Sequence, residues 1–171
     1  MDRQPVLVGE RLELRPLRES DWDTLWPVAN DRALWAMHPM HDRWQEPVFR
    51  AFFADALAQG GALLAIERAT GRTVGSSRYQ AHDAADGGRV EIGWTFIARD
   101  MWGSGFNDEM KRLMLDHAFR FVERVVFRVG ETNWRSRRAV EKLGAQLTDE
   151  REGSGALTHL VYALDRADWR G

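Results

Sequence analysis

The residues best placed to do chemistry form a glycine turn, Trp102-Gly103-Ser104-Gly105, at the junction of a strand-like and a helix-like segment. Glycine lets the chain bend so sharply that successive N–H groups converge on one point. A helix start adds its unpaired N–H groups and the positive end of its dipole. Together they make a seat for a phosphate-sized anion. The same pattern also serves as a plain tight turn, and spacing alone does not choose between the two. A dinucleotide fingerprint would need a third glycine where Asp108 stands, and a P-loop would need Gly-Lys-Ser/Thr, which is absent. Asp108 and Glu109 suit the helix dipole but would repel a phosphate unless their side chains turn away.

Further along, Asn133 stands where it can cap a helix, and Ser136 shares that helix's apolar face with Ala139 and Val140. A buried hydroxyl needs a partner, which can be a carbonyl one turn back or a ligand. His38 and His41 sit in a proline-bearing loop with no third ligand, so no metal is expected. His117 falls on an apolar helical stripe and reads as a satisfied core histidine. Cysteine is absent, which removes disulfides, thiolate metal sites and a cysteine nucleophile together. The net charge of -2 gives no global basic field for nucleic acid or an anionic membrane. No apolar run approaches the roughly 20 residues of a spanning helix, and the first residues lack a signal-peptide layout. The expected address is cytoplasmic.

The elements that must position these residues follow from periodicity. Arg11 to Leu17 alternates as a strand, followed by a helix with Trp22, Leu25, Trp26 and Ala29 on one face, for which Ser20 or Asp21 can supply the cap. A short helical piece spans Asp31 to Met37, and Pro47 opens a helix with a phenylalanine-rich stripe that ends at Gly60-Gly61. Ala62 to Glu67 and Thr73 to Gln80 read as a hairpin. Arg89 to Ala98 reads as a strand with Val90, Ile92, Trp94 and Phe96 on one face and Glu91, Gly93, Thr95 and Ile97 on the other. After the glycine turn comes a helix with the stripe Met110, Leu113, Met114, His117, Ala118 and Phe121. A β-branched strand follows at Val125 to Val129, then a helix at Asn133 to Leu143, then two strands at Gln146 to Arg151 and Leu157 to Leu164. Strand, helix, strand over Arg89 to Val129 implies a right-handed crossover and a parallel pair, the rest of the sheet being free to run antiparallel. The class is mixed α/β, one domain over residues 1–171, with one sheet and helices on both faces.

Two motifs in this order carry a family resemblance. Glu91-Ile-Gly-Trp94 followed by Trp102-Gly-Ser-Gly105 and an amphipathic helix resembles the acetyl-CoA motif of the GNAT superfamily. Asn133-Trp-Arg-Ser136, followed by Glu141-Lys142-Leu143-Gly144, is similar to the family's second signature. The branch it resembles includes ribosomal-protein N-terminal acetyltransferases and small-molecule enzymes. Asp100 stands where the family pattern prefers Arg or Gln.

The resemblance implies a mostly antiparallel sheet with one splayed parallel pair, and an acetyl-CoA-dependent N-acetyltransferase without a metal. It implies that backbone N–H groups at Trp102, Gly103, Ser104, Gly105, Phe106 and Asn107 hold the pyrophosphate, and that Phe96, Ile97 and Ala98 bind the pantetheine like an added strand. Asn133 would contact the same arm, Ser136 the sulfur, and one of Arg135, Arg137 and Arg138 the adenosine phosphates. Glu91 would be the base that takes the acceptor's proton, against the alternative of a solvated or ion-paired glutamate. Trp35, His38 and Trp44 would frame the acceptor, a small-molecule amine or a peptide N-terminus, while Trp22 and Trp26 read as core. No nucleic acid and no membrane are expected as partners. Homodimers are common in that branch, and the sequence is neutral on the point. A sensor that binds acetyl-CoA, or another acyl-CoA, without catalysis is the alternative class.

Overall fold

The computed structural model describes residues 1–153 and 158–171. In chain order the elements are β1 (Leu7–Val8), β2 (Leu12–Pro16), α1 (Trp22–Ala29), α2 (Glu46–Gln59), β3 (Ala62–Glu67), β4 (Thr73–Asp83), β5 (Arg89–Ile97), α3 (Phe106–Ala118), β6 (Arg124–Gly130), α4 (Trp134–Lys142), β7 (Gln146–Glu152) and β8 (His159–Asp165). The expected start of the last strand at Leu157, and the Ser154-Gly155 turn before it, lie outside the described residues. One sheet runs β1-β2-β3-β4-β5-β6-β8-β7, antiparallel except where β5 meets β6.

Alternation along the strands feeds two cores, one on each face. Leu63 and Ala65 of β3 join Met110, Met114 and Leu115 of α3 and Val140 of α4 in the first. Leu64 joins Leu25 of α1 and Phe49 and Phe53 of α2 in the second. The α3 stripe is rotated from the sequence expectation. Met110, Lys111, Met114, Leu115, His117 and Ala118 are buried, whereas Phe121 is exposed. Asp21 precedes α1 but makes no side-chain cap to it. Its carboxylate instead pairs with Arg15 at 2.6 Å and accepts the Arg18 N–H at 2.8 Å.

Two irregularities in β5 shape the site. The first corrects the simple alternation expected for this strand. Its register against β4 shifts between Ser76↔Phe96 and Arg78↔Gly93, and Trp94 takes φ of +52°. This is a β-bulge, and the extra residue swaps the faces beyond it. Val90 and Ile92 lie in the first core together with Ile97, while Phe96 crosses to the second, 5.1 Å from Trp35. A left-handed backbone at tryptophan costs about 1–3 kcal/mol, and such strain concentrates at functional sites.

The second irregularity is a split. β5 and β6 pair only at Arg89↔Arg124, Val90↔Val125 and Glu91↔Val126. β6 then stays with β8 along its whole length, to Gly130↔His159. The sheet therefore opens into a wedge whose vertex is Glu91 and Val126.

Candidate functional site

The wedge is a cleft of about 350 Å³. Its walls are Ile92 to Ile97 of β5 and Phe127 to Gly130 of β6, with α3 and α4 contributing Asn107, Lys111, Asn133 and Ser136. The glycine turn stands at the C-terminal end of β5.

The turn is built by two left-handed glycines, Gly103 at φ +73° and Gly105 at φ +87°, the latter being the N-cap of α3. Phe106, Asn107 and Asp108 form the first turn of α3, where N–H groups have no intrahelical partner. The Trp102 N–H already donates to the Arg99 carbonyl at 3.0 Å, and that of Ser104 makes a long contact of 3.4 Å to the Met101 carbonyl. Both acids that threatened an anion here are ion-paired, although Asp108 and its partner Lys142 still line the cleft. Glu109 accepts from the backbone N–H groups of Arg11 and Leu12 at 2.8 and 3.0 Å, and from the Arg11 guanidinium. These bonds hold its carboxyl below the ordinary range against the pull of burial. Asp108 pairs with Lys142 of α4 at 2.5 Å. Asp100 is held by both terminal guanidinium nitrogens of Arg72.

Along the strand the backbone alternates direction. The Ala98 N–H donates to Val74 at 2.7 Å, and Phe96 pairs with Ser76, so both face β4. Ile97 between them faces the open edge, where the Trp102 indole N–H reaches its carbonyl at 3.1 Å. The Trp102 ring in turn lies under the Arg135 guanidinium, 3.6 Å from its centroid. Desolvation lowers the pKa of Arg135.

The cleft gathers most of the sequence-derived residues. Phe96, Ile97, Trp102, Gly103, Gly105, Asn107, Asn133, Ser136, Trp35 and His38 all line it. Ser104, Phe106, Ala98, Glu91 and Trp44 do not. Ser104 gives its carbonyl to Arg11, and Phe106 is buried beneath the same guanidinium. Trp44 packs on the second core under Arg32, and Trp22 stacks on Trp26 against the same core. Asn133 performs its capping role, accepting the Ser136 N–H at 3.2 Å. Ser136 is half-buried and faces the cleft rather than packing in the core. Arg137 is taken up by Tyr162 and the Glu131 carbonyl, which leaves Arg135 as the member of its cluster at the cleft.

Glu91 is buried on the face away from α3, ion-paired to Arg128 of β6, which also reaches Glu152 at 2.9 Å. Burial raises its pKa, with Arg128 opposing. Arg128, not Glu91, is the member of this pair that lines the cleft. His38 donates no charge there, since burial and Arg43 hold its pKa down to about 3, and its Nδ1 accepts the Met40 N–H. His117 is the satisfied core residue expected, with Nε2 bonded to the Asp2 carbonyl at 2.8 Å.

Lys111 escaped the sequence reading. It is buried yet lines the cleft, its Nζ bonded to Thr95 Oγ1 at 2.5 Å and facing the Phe127 ring. Burial drags its pKa down to about 7, with Glu91 pulling the other way. A signal existed in its spacing. Lys111, Met114, Leu115 and Ala118 stand at i, i+3, i+4 and i+7, a charge on the apolar stripe. Among the described residues no group of His, Cys, Asp and Glu could hold a metal ion, and no helix is long and apolar enough to cross a membrane.

A family model described as "Acetyltransferase (GNAT) domain" matches residues 11–146. Among solved structures, an acetyltransferase described as putative from T. thermophilus is similar at 26% identity and a TM-score of 0.75, covering 96% of this chain and 90% of that one. A GCN5-related N-acetyltransferase from Brucella melitensis shares the fold at 17% identity and a TM-score of 0.83, covering 97% and 80%. RimJ from Mycobacterium smegmatis, solved in complex with CoA-disulfide, does so at 20% identity and a TM-score of 0.73, covering 94% and 87%. Comparison with curated proteins gave no match.

Proposed function

The chain belongs to the GNAT acetyltransferase family, and we propose that it moves an acetyl group directly from acetyl-CoA to a primary amine, of a small molecule or of a protein N-terminus. One observation carries the reading: the β5–β6 wedge ends on a glycine turn whose neighbouring acids are both neutralised by ion pairs. The coenzyme supplies an activated thioester. The N–H groups around Gly103, Gly105, Phe106 and Asn107 suit its pyrophosphate, and Arg135 stands beside them for a further phosphate. The open edge at Ile97 suits the pantetheine, with Asn133 and Ser136 on the opposite wall. The Ile97 N–H is oriented to hydrogen-bond a carbonyl oxygen as charge develops on it. Trp35 and His38 line the same space, and His38, held neutral, acts there as a wall rather than as a base. Glu91 can take the acceptor's proton through water, helped by its raised pKa.

The ion pair of Glu91 with Arg128 favours a second reading, in which the chain binds acyl-CoA without turnover. Calorimetry with acetyl-CoA tests the shared premise. Thiol release against a panel of amines and peptides then separates the two. Release with at least one acceptor supports the enzyme, and tight binding with none supports the sensor.

A further inference from the structure

We infer that Lys111 is the proton donor to the coenzyme's sulfur, placed in the gap between β5 and β6 where the thiolate is released. This rests on the acetyl-CoA reading above. Lys111 lies six residues beyond Gly105, about 9 Å along α3. Thr95 lies three residues before Ala98, about 10 Å back along β5. The helix and the strand both start from the turn, and their side chains meet across the gap in the Nζ–Oγ1 bond. An arm seated on the turn and running along the open edge of β5 must pass over that nitrogen, because the wedge closes beyond it at Glu91 and Val126.

The surroundings leave this ammonium short of anionic partners. Thr95 takes one of its three hydrogens, and Ser77 holds that hydroxyl in place at 2.7 Å. Among the described residues no carboxylate lies within ion-pair distance of Nζ. From β5, Glu91 exerts the one attractive charge, but its carboxylate is bound to Arg128 of β6. On α3 itself, Asp108 is bound to Lys142. His38, also on the cleft wall, is neutral. A buried cation without a counter-ion is costly unless an anion arrives to meet it. With burial bringing Lys111 to about 7, below the roughly 8.5 of a thiol, the proton moves downhill to a departing thiolate. The step balances. The acceptor nitrogen forms its bond to carbon, the carbon–sulfur bond breaks with its electron pair left on sulfur, and Lys111 protonates that sulfur. The proton shed by the attacking nitrogen goes through water to Glu91, and solvent restores the ammonium as Glu91 gives its proton up. Ser136, a far weaker acid, then orients the sulfur instead of protonating it.

The test needs no acceptor. Free CoA is bound to the intact protein, and its thiolate is titrated by ultraviolet absorbance in wild type, Lys111→Met and Lys111→Arg. Lys111→Arg, a cation that keeps its proton, is expected to lower the bound-thiol pKa by about one unit or more, a tenfold gain in thiolate. Wild type and Lys111→Met should show no such lowering, because the wild-type lysine passes its proton to the sulfur. CoA binding with an unshifted thiol in Lys111→Arg, or a lowered thiol in wild type, overturns the inference alone. Failure of wild type to bind CoA overturns the acetyl-CoA reading and this with it. Incubation with acetyl-CoA and peptide mass mapping closes the remaining route, since Lys142 is the one other lysine. An acetyl group found on Lys111 would make it an acceptor and refute its role as donor.

Discussion

Replacing Gly105 by alanine separates an anion seat from a mere turn. Gly105 sits at φ +87°, and a Cβ there would come within 2.9 Å of the Arg11 Nη2. The left-handed backbone costs an L-residue about 1–2 kcal/mol. The contact adds little, because the end of a flexible side chain can move. A domain of this size loses roughly 2–4 °C in Tm per kcal/mol, so the melting point should fall by about 2–8 °C. Binding should suffer separately. Hydrogen bonds to a charged group contribute about 1.5–3 kcal/mol each, and misdirecting one of the converging N–H groups should weaken acetyl-CoA about 10- to 100-fold. Gly71→Ala is the matched control. Its φ of +73° is equally left-handed, a Cβ there meets nothing within 4 Å, and it lies on the β3–β4 turn. Calorimetric titration of both variants should show a comparable loss of stability and a loss of affinity in Gly105→Ala alone. Equal acetyl-CoA affinity in the two would refute the phosphate seat and leave a structural turn.

Three further outcomes follow from the charged groups. Glu91→Gln should abolish the acidic limb of the kcat/KM profile, a limb that desolvation places above the ordinary glutamate range in wild type; an unchanged profile would assign Glu91 to its ion pair alone. Lys111→Met should stabilise the protein at pH 7. The lowered lysine leaves the folded state with fewer bound protons than the unfolded state between about 7 and its ordinary value, so wild-type stability should climb with pH across that window. Denaturant melts should show that climb missing in the variant. Asp21→Asn should lose about 1.5–3 kcal/mol at pH 7, the scale of hydrogen bonds to a charged group. Arg15 and the Arg18 N–H lower the pKa of Asp21 against the pull of burial, so its contribution is whole above the unfolded value and disappears as pH falls through the folded one. The two proteins should then converge in acid.

What the sequence made legible was periodicity and local turn chemistry, and what it hid was the bulge. The order of elements, the glycine turn and the Asn133 cap all depend on neighbours within a few residues, so each could be read in place. Trp94 is different. Nothing local in Gly93-Trp94-Thr95 announces a left-handed tryptophan, since the shift exists only against Ser77 on β4. Missing it puts Phe96 and Ile97 on the wrong faces. It also hides why Lys111 is buried. With regular alternation Thr95 would share a face with Glu91, pointing away from α3, and Lys111 would have no hydroxyl to reach. The bulge turns Thr95 to the gap, and the lysine closes on it. The same split that opens the cleft explains the fate of Glu91. It occupies the last paired position before the strands part, so Arg128, two residues along β6, can fold back over it. The carboxylate expected from the resemblance to serve as base is therefore roofed by a guanidinium, and in the proposed reaction the acceptor's proton would reach it around Arg128. The chemistry of this cleft depends on where two parallel strands stop pairing, a property of the sheet that no single segment of the chain contains.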